Sequence, residues 1–319
     1  MYHGFKKNAN YFEGWYYKLV DKDKQNVYAL IPGIFKSKDQ KESHCFIMIM
    51  NGIDNKSYYF KYPVSDFKSD KEDFNILIKE NFFSLHKVSI NINKKNCMFM
   101  GELEFSGFKP WPVTLMSPGV MGWYAYMPFM ECYHGVLSFD HHVAGKLHNN
   151  EKEIDFSGGR GYIEKDWGKS FPSSWFWLQS NHFKEKGNSL FISVALIPWI
   201  GNEFRGFIAG LWYNGSLLKF TTYNKSSINN FEVVDDKINL ELENKKFRLN
   251  IQTNKSDGCL LYGPSGSKML KNVKESILAK VVVNLFDKKT GNIIYSDIGD
   301  FTGMELNGEF KKLLIKNDK

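Results

Sequence analysis

The cysteines of this chain form no recognisable disulfide or metal-binding pattern. Only four occur in 319 residues, Cys45, Cys97, Cys132 and Cys259, and they lie far apart. Neither a CxxC pair nor the Cys/His spacing of a zinc site is present. Reduced thiols are therefore expected, and with them a cytoplasmic location.

Long runs of one character are also missing. The 42 basic residues are scattered and outweigh 35 acidic ones by a net charge of +7. No nucleic-acid partner is expected from this scatter, whereas a mild attraction to anionic membrane lipid is compatible with the net charge. No apolar stretch approaches the roughly 18 residues that a membrane-spanning helix needs. Residues 1–10 lack the apolar core of a secretory signal, which is therefore not expected.

Common nucleotide-binding and hydrolase motifs are absent as well. The segment Gly158-Gly159-Arg160-Gly161 lacks the strand–turn–helix context of a dinucleotide fingerprint. The segment 263–268 has the wrong order and spacing for a phosphate-binding loop. No Gly-x-Ser-x-Gly elbow occurs, so the sequence indicates no serine hydrolase.

The sequence is instead rich in aromatic residues, which make up 16% of it, and these favour strands. Short apolar runs such as 27–35, 45–50, 190–198 and 280–286 are separated by polar turns. The pattern predicts an all-β fold. The segment 267–276 is a candidate helix.

An internal repeat divides the chain. Ala29-Leu30-Ile31-Pro32-Gly33-Ile34 recurs 166 residues later as Ala195-Leu196-Ile197-Pro198-Trp199-Ile200, and the neighbouring strands show weaker echoes. The repeat predicts a duplication into two β-rich halves, each a barrel or a sandwich, with a boundary near 168–174.

The segment 109–129 interrupts the first half, because its prolines forbid a central strand. Its four nearby methionines are compatible with an adaptable lid over a barrel mouth. A loop packed onto the body by its own side chains is the equal alternative.

The most informative segment is 160–167, which crowds charges beside aromatics. Strand alternation places Tyr162, Glu164 and Asp166 on one face. The two carboxylates would lie ~7 Å apart, from a rise of about 3.4 Å per residue. Their repulsion would raise the pKa of one and make it a general acid. Alternatively, Arg160 or Lys165 pairs with them and locks the junction between the halves.

The opening strand has a similar character. Tyr11, Glu13, Trp15 and Tyr17 share a face, so Glu13 either lies in a pocket that can stabilise a cation or is solvated. The repeat places Gln179 and Asn181 at the positions of Glu13 and Trp15.

Histidines offer further candidates. His182 follows Asn181 and is either a proton carrier or a hydrogen-bonded structural residue. One face of a long predicted strand carries polar residues and the other face is apolar. The polar face contains His134, Asp140, His142 and His148. We therefore expect these histidines to face water rather than to bind a metal.

Three segments carry a resemblance to a known family. They are Tyr11-Phe12-Glu13-Gly14-Trp15-Tyr16-Tyr17-Lys18, Gly161-Tyr162-Ile163-Glu164-Lys165-Asp166-Trp167-Gly168-Lys169-Ser170-Phe171-Pro172 and Trp175-Phe176-Trp177-Leu178-Gln179-Ser180-Asn181-His182-Phe183. In this order they resemble the tocopherol cyclase family, most clearly before about Tyr223. The resemblance implies two tandem lipocalin-like antiparallel β-barrels, which would span residues 1–170 and 171–319.

The resemblance also implies a reaction. In that family a prenylated hydroquinone is cyclised to a chromanol after an acid protonates the alkene, and no redox cofactor or metal is required. The implied catalytic residues are Asp166 or Glu164 as proton donor, Glu13 as a further acid, and His182 as acceptor of the phenol proton. The implied substrate-binding residues are Trp15, Tyr16, Tyr162, Trp167, Trp175, Trp177, Arg160, Gln179 and Asn181.

Three functional hypotheses follow. The first is an acid-catalysed cyclase or isomerase acting on a prenylated phenol or another isoprenoid-like apolar substrate. The second is a non-catalytic lipocalin-like carrier of a hydrophobic small molecule, and a carbohydrate-binding β-protein is a distant third. Capping of both Glu164 and Asp166 by Arg160 and Lys165 would favour the carrier.

Overall fold

The computed structural model describes residues 1–94, 97–128, 130–150, 152–199 and 201–315, and their regular structure is almost entirely β-strand. Within these ranges the helical segments are short 3₁₀ turns: Gly4–Lys6, Gln40–Glu42, Val64–Asp66, Gly122–Tyr126, Thr222–Asn224 and Phe310–Leu313. The predicted all-β fold is confirmed. The part of the chain that the structure describes contains no helix both long and apolar enough to cross a membrane.

The first antiparallel sheet is built from the N-terminal half of the chain. Its strands are β1 (Tyr11–Val20), β2 (Val27–Lys36), β3 (His44–Asn51), β4 (Lys56–Tyr62), β5 (Phe67–Ser69), β6 (Asn75–Ile78), β7 (Asn81–Ser84), β8 (Lys87–Lys94), β9 (Cys97–Ser106), β10 (Cys132–Asn149), β11 (Lys152–Asp155) and β12 (Gly159–Gly168). Their order is β4-β3-β2-β1-β12-β10-β9-β8-β7-β6-β5, with β11 paired to β10 off this path. The candidate strand β12 is therefore central, between β1 and β10.

The second antiparallel sheet follows it in sequence. Its strands are β13 (Ser174–Ser180), β14 (Ser189–Trp199), β15 (Asn202–Tyr213), β16 (Ser216–Thr221), β17 (Ser227–Val234), β18 (Lys237–Glu243), β19 (Phe247–Asn254), β20 (Cys259–Ser265), β21 (Lys268–Asp287) and β22 (Ile293–Gly308). Their order is β16-β15-β14-β13-β22-β21-β19-β18-β17, with β20 paired to β21.

The two sheets share one strand order. The path β4-β3-β2-β1-β12-β10-β9-β8 in the first corresponds strand by strand to β16-β15-β14-β13-β22-β21-β19-β18 in the second. In each sheet a short strand also pairs with the longest strand, β11 with β10 and β20 with β21. This common order supports the predicted duplication, although Ile200, the last residue of the repeat, lies outside the described residues. Closure of the sheets into barrels stays a prediction.

The chain forms two compact units. The first comprises Met1–Thr114, Glu131–Phe171 and Leu260–Asn272, and the second comprises Leu115–Met130, Pro172–Cys259 and Val273–Lys319. Two segments, Leu115–Met130 and Leu260–Asn272, thus belong to the unit built mainly from the other half of the chain. The assignment of 1–170 and 171–319 to one barrel each stays a prediction.

Each unit buries one face of its sheet in a hydrophobic core. In the first, alternate residues of β1 enter the core, among them Tyr11, Trp15, Tyr17 and Leu19. In the second, Phe176 and Leu178 of β13 do so. Burial of each large apolar side chain stabilises the fold by about 1.5–3 kcal/mol. Because side chains of a strand alternate between its faces, the residues buried in the core determine the face on which each remaining residue lies.

Two local predictions have opposite outcomes. The segment 109–129 is irregular as expected: its described part has the Gly122–Tyr126 turn, bridge residues at Thr114 and Ser117, and otherwise turns and coil, and Phe129 lies outside that part. The prediction of a candidate helix at 267–276 was wrong. Lys268–Asp287 is the long strand β21, whose pairing with β22 outweighs the weak helical pattern of its first residues.

Candidate active site

Strand β12 carries charged side chains on both faces. Ile163 belongs to the core of the first unit, Trp167 packs against that core, and Lys165 binds Glu13 of β1. Tyr162, Glu164 and Asp166 lie on the opposite face. The alternation predicted from the sequence is therefore confirmed, and it separates two different clusters of charge.

The first cluster forms around His134 of β10, which lies directly opposite Asp166. Its Nδ1 is 2.6 Å from Oδ1 of Asp166, and its Nε2 is 3.3 Å from Oε2 of Glu164. One carboxylate thus meets each nitrogen of a single ring. A doubly protonated imidazolium satisfies this arrangement, because both of its nitrogens are donors.

The protonation state of His134 follows from its surroundings. Burial by itself disfavours the charged ring, but the negative charges of Asp166 and Glu164 outweigh burial and raise the pKa of His134 to about 10. His134 is therefore an imidazolium at neutral pH. This cation thus lies between two acidic side chains, of which Glu164 is buried and Asp166 is partly exposed.

Two further donors complete the cluster. The hydroxyl of Tyr162 donates to Oε2 of Glu164 at 2.5 Å, and Sγ of Cys132 lies 3.9 Å from Oδ1 of Asp166. Burial, reinforced by the neighbouring carboxylates, raises the pKa of both groups well above the ordinary values. The phenol and the thiol therefore stay protonated and act only as donors. Tyr16 of β1 lies directly opposite Glu164 of β12 and is buried too.

His134 and its two carboxylates are also a candidate metal site. One ligand atom each from His134, Glu164 and Asp166 lie within 4.8 Å of one another. A metal ion requires its ligand atoms to converge on one point. Here the two carboxylates approach different nitrogens of the ring, so the geometry fits an imidazolium better than a metal ligand.

The second cluster lies on the core face. Nζ of Lys165 is 2.5 Å from Oε1 of Glu13, and Tyr11 donates its hydroxyl to the other oxygen. The backbone nitrogen of His3 donates to that oxygen at 2.8 Å. Burial opposes ionisation of Glu13, but the hydrogen bond from His3 and the charge of Lys165 outweigh it and lower the pKa of Glu13.

Aromatic faces surround the ammonium group of Lys165. Its Nζ lies 4.8 Å from the centre of the Trp167 ring and 5.2 Å from that of Trp15. The cation next to Glu13 is thus supplied by the protein itself. The predicted catalytic role of Glu13 and the substrate contacts of Trp15 and Trp167 stay predictions.

Arg160 takes a separate partner. Its guanidinium binds Asp140 of β10 with two short contacts, Nε to Oδ1 at 2.8 Å and Nη2 to Oδ2 at 2.6 Å. These ion pairs differ from the alternative raised from the sequence, in which Arg160 or Lys165 pairs with Glu164 and Asp166. Lys165 points to the other face of β12, and Arg160 is held by a bidentate contact that fixes its fork geometry.

The second unit contains the other candidate residues. Because Phe176 and Leu178 face the core, Trp175, Trp177 and Gln179 lie on the opposite face of β13. Trp175 donates its indole N–H to Glu305. Asn181 follows the end of β13, and its Oδ1 lies 2.9 Å from Nδ1 of His182. The role of His182 as a proton acceptor stays a prediction.

The equivalence drawn from the repeat does not hold on these strands. Glu13 shares the core face with Trp15, whereas Gln179 lies on the face away from the core. The predicted correspondence of Gln179 and Asn181 with Glu13 and Trp15 was therefore wrong. The turn between β13 and β14 is longer than that between β1 and β2, so a single offset does not relate both strands.

Comparison with known proteins places the candidate residues in a family. The family model described as tocopherol cyclase-like matches residues 105–308. That match covers more than half of the chain. The chain belongs to the tocopherol cyclase-like family. The matched range includes His134, Glu164 and Asp166, and it extends well past Tyr223, where the resemblance of the motifs weakens.

Curated relatives of this tocopherol cyclase-like protein match part of it. A probable chloroplastic tocopherol cyclase of Oryza sativa subsp. japonica is 23% identical over 212 residues, which are 61% of this chain and 44% of that protein. A chloroplastic tocopherol cyclase of Zea mays is 24% identical over 106 residues, 32% of this chain and 22% of that protein. The chain thus matches less than half the length of these relatives.

Solved structures share its fold over nearly the whole length. CghA in complex with Sch210972 superposes with a TM-score of 0.59 at 9% identity and covers 93% of this chain and 88% of its own. Kievitone hydratase from Nectria haematococca gives 0.52 at 11% identity, with coverages of 97% and 93%. At such low identity these similarities establish the fold alone.

Sequence reasoning missed the central residue of the first cluster. His134 was expected to face water, yet only 12% of its side chain is exposed. Bulges between Val136 and Ser138 and between Ser138 and His141 shift the register of β10 against β12, so one parity does not describe the whole strand. His142, beyond both bulges, is exposed as expected.

Proposed function

We propose that this protein is an acid-catalysed cyclase that closes a ring in a prenylated phenol or a related isoprenoid-like apolar substrate. The observation that carries the proposal is the buried imidazolium of His134 between Asp166 and Glu164. Membership of the tocopherol cyclase-like family supports the same reaction class. Capping of both carboxylates by Arg160 and Lys165 would have favoured a carrier. The ion pairs of these two residues are instead with Asp140 and Glu13.

The reaction needs a proton donor and a shielded cation. Protonation of the alkene at its less substituted carbon leaves a cation on the adjacent tertiary carbon, and the phenol oxygen then bonds to this tertiary carbon. As the C–O bond forms, the phenol gives its proton to the carboxylate left on the acid that protonated the alkene, so the acid is restored and the reaction is an isomerisation. Such a step is accelerated where fixed charges meet the developing positive charge.

Asp166 is the proposed donor. Its side chain is 27% exposed, compared with 6% for Glu164, so it is the more accessible of the two carboxyls. The 2.6 Å contact lets the proton on Nδ1 of His134 pass to Asp166. An apolar substrate that excludes water favours this transfer, because it converts an ion pair into two neutral groups.

Glu164 has the complementary role. It remains a carboxylate held by Tyr162 and His134, and it supplies fixed negative charge beside the cation. The phenol of Tyr162 stays protonated and orients this carboxylate. Substrate contacts with Tyr16 and Tyr162 on this face belong to the same proposal.

Turnover of a prenylated hydroquinone in detergent micelles tests the reaction. In deuterated water the chromanol should gain a single non-exchangeable deuterium per turnover, read by mass spectrometry. Asp166→Asn and Glu164→Gln should each lower turnover by at least about 100-fold, while binding persists. Glu153→Gln, an exposed surface carboxylate, is the matched control.

Two outcomes would contradict the proposal. Unchanged turnover in both variants would refute the acid assignment. Binding of the prenylated phenol without any turnover or deuterium incorporation by the wild type would instead support the carrier.

A further inference from the structure

The segment 110–130 contains no charged residue. Between residues 115 and 128, four of its large apolar or aromatic side chains face solvent, with exposed fractions of 86% for Leu115, 80% for Met116, 42% for Trp123 and 54% for Tyr126. We call these four residues the apolar tip; all of them belong to the second unit. Isolated exposed apolar residues are ordinary, but a group of large ones in an uncharged segment marks an interaction surface.

The members of the apolar tip are neighbours in space. Trp123 and Tyr126 lie three residues apart in the 3₁₀ turn Gly122–Tyr126, and residues at this spacing lie on the same side of such a turn. Tyr126 donates its hydroxyl to the backbone carbonyl of Leu115. The turn and the segment carrying Leu115 and Met116 therefore present their side chains together.

The second unit supports the tip from beneath. The Tyr124 ring lies 5.9 Å from that of Phe204 and 5.7 Å from that of Trp199. Tyr223 donates its hydroxyl to the carbonyl of Val120 at 2.8 Å. Trp123 shares in this anchoring, because its ring stacks on that of Tyr124 at 4.0 Å, whereas Leu115 and Met116 remain the most exposed residues of the tip.

We propose that the apolar tip inserts into the surface of a lipid bilayer. Tryptophan and tyrosine favour the level of the lipid headgroups, while leucine and methionine favour the acyl region below it. Since no charged residue lies between 110 and 130, insertion of this segment requires none of its own side chains to give up a hydrated charge. The net charge of +7 adds attraction to anionic lipid. The proposal concerns a docking surface and does not depend on the proposed reaction.

Flotation with lipid vesicles, without any substrate, tests the docking surface. The 319-residue chain should float with phosphatidylcholine vesicles and bind more tightly when phosphatidylserine is added. The double variant Leu115→Asp, Met116→Asp should bind at least about tenfold more weakly, equivalent to about 1.4 kcal/mol. Raised salt should reduce the gain from phosphatidylserine but not the difference between the two proteins.

The matched control, named here the Ile293 control, is the double variant Ile293→Asp, Ile294→Asp, which places the same two charges at neighbouring apolar residues of the same unit that are 56% and 38% exposed. It should bind like the wild type. Circular dichroism should show both variants folded, as expected for substitutions at exposed positions.

Three results would overturn the proposal: no vesicle binding by the wild type, equal binding by the double variant, or equal weakening in the Ile293 control. Sedimentation of the free protein distinguishes the alternative in which a second copy of this chain, rather than lipid, covers the tip. If the wild type self-associates, the double variant does not, and vesicles are not bound, the tip is an interface between copies of this chain. Failure of the cyclase assay in micelles would leave the vesicle result unaffected, so the two proposals fail separately.

Discussion

His134 and Asp166 face each other across strands β10 and β12, and the 2.6 Å between Nδ1 and Oδ1 joins a buried cation to a partly exposed carboxylate. Glu164 meets the other nitrogen of the same ring. Each group supplies the charge that makes burial of the other acceptable. A positive charge held in this way is the feature that distinguishes this face of the sheet from an ordinary packed surface.

The charge states of two histidines of β10 should differ at neutral pH. His134, with its pKa raised to about 10, should give imidazolium nitrogen shifts in NMR spectra up to about pH 9. Burial, together with nearby positive charges, lowers the pKa of His141 to about 3, so this ring should stay neutral. Titration of His134 near its unfolded value of about 6.5 would contradict the cluster.

The same shift predicts the direction of a pH effect on stability. Because the pKa of His134 is higher in the folded state, its contribution should be fully present below about pH 6.5 and lost as the pH rises through about 10. Urea unfolding at a series of pH values should show this loss in the wild type. His148→Gln, which changes a half-exposed histidine of the same strand, should leave the profile unchanged.

Removal of His134 should affect activity and stability together. His134→Gln leaves Asp166 and Glu164 facing each other without a cation, so we expect turnover to fall by at least about 100-fold. The loss of a buried partner should also cost about 3–5 kcal/mol of unfolding free energy. Measuring kcat on the fraction that remains folded separates the two effects. Wild-type turnover in that fraction would remove His134 from the mechanism.

The Glu13–Lys165 pair should behave as a buried ion pair. Lys165→Met or Glu13→Gln alone should destabilise the protein by about 3–5 kcal/mol, since each leaves a buried charge alone. The double variant should lose less than the sum of the two single losses. Urea unfolding measures all three, and the exposed pair Lys146 and Glu153 is the control, for which little change is expected. Additive losses would show that the two side chains are not coupled.

Gly161 is required by its neighbour. A β-carbon at this position would lie 2.3 Å from Nε2 of His141 on the opposite strand. Gly161→Ala should therefore destabilise the protein by about 1–3 kcal/mol, as overpacking does. Gly135→Ala is the control, because the nearest atom there lies at 3.4 Å, and thermal unfolding compares the two. Equal stability of both variants would mean that the His141 ring moves aside freely.

Much of this architecture was already present in the sequence. Alternation placed Tyr162, Glu164 and Asp166 on one face and Lys165 on the other, because side chains along a strand point to opposite faces in turn. Short apolar runs between polar turns gave the all-β fold, and the Ala29 and Ala195 segments pointed to the duplication that the common strand order supports. Each of these inferences needed only neighbouring residues or a direct repeat.

The partners of the charged residues were decided by the tertiary structure. His134 reaches Asp166 only because β10 pairs with β12, and two bulges in β10 break the parity by which its exposure was judged. Lys165 and Glu13 meet through the pairing of β1 with β12, across 152 positions of sequence. Sequence periodicity reports on which face a side chain lies. Which charge lies opposite depends on strand order and register, and these are set by burial of the whole sheet.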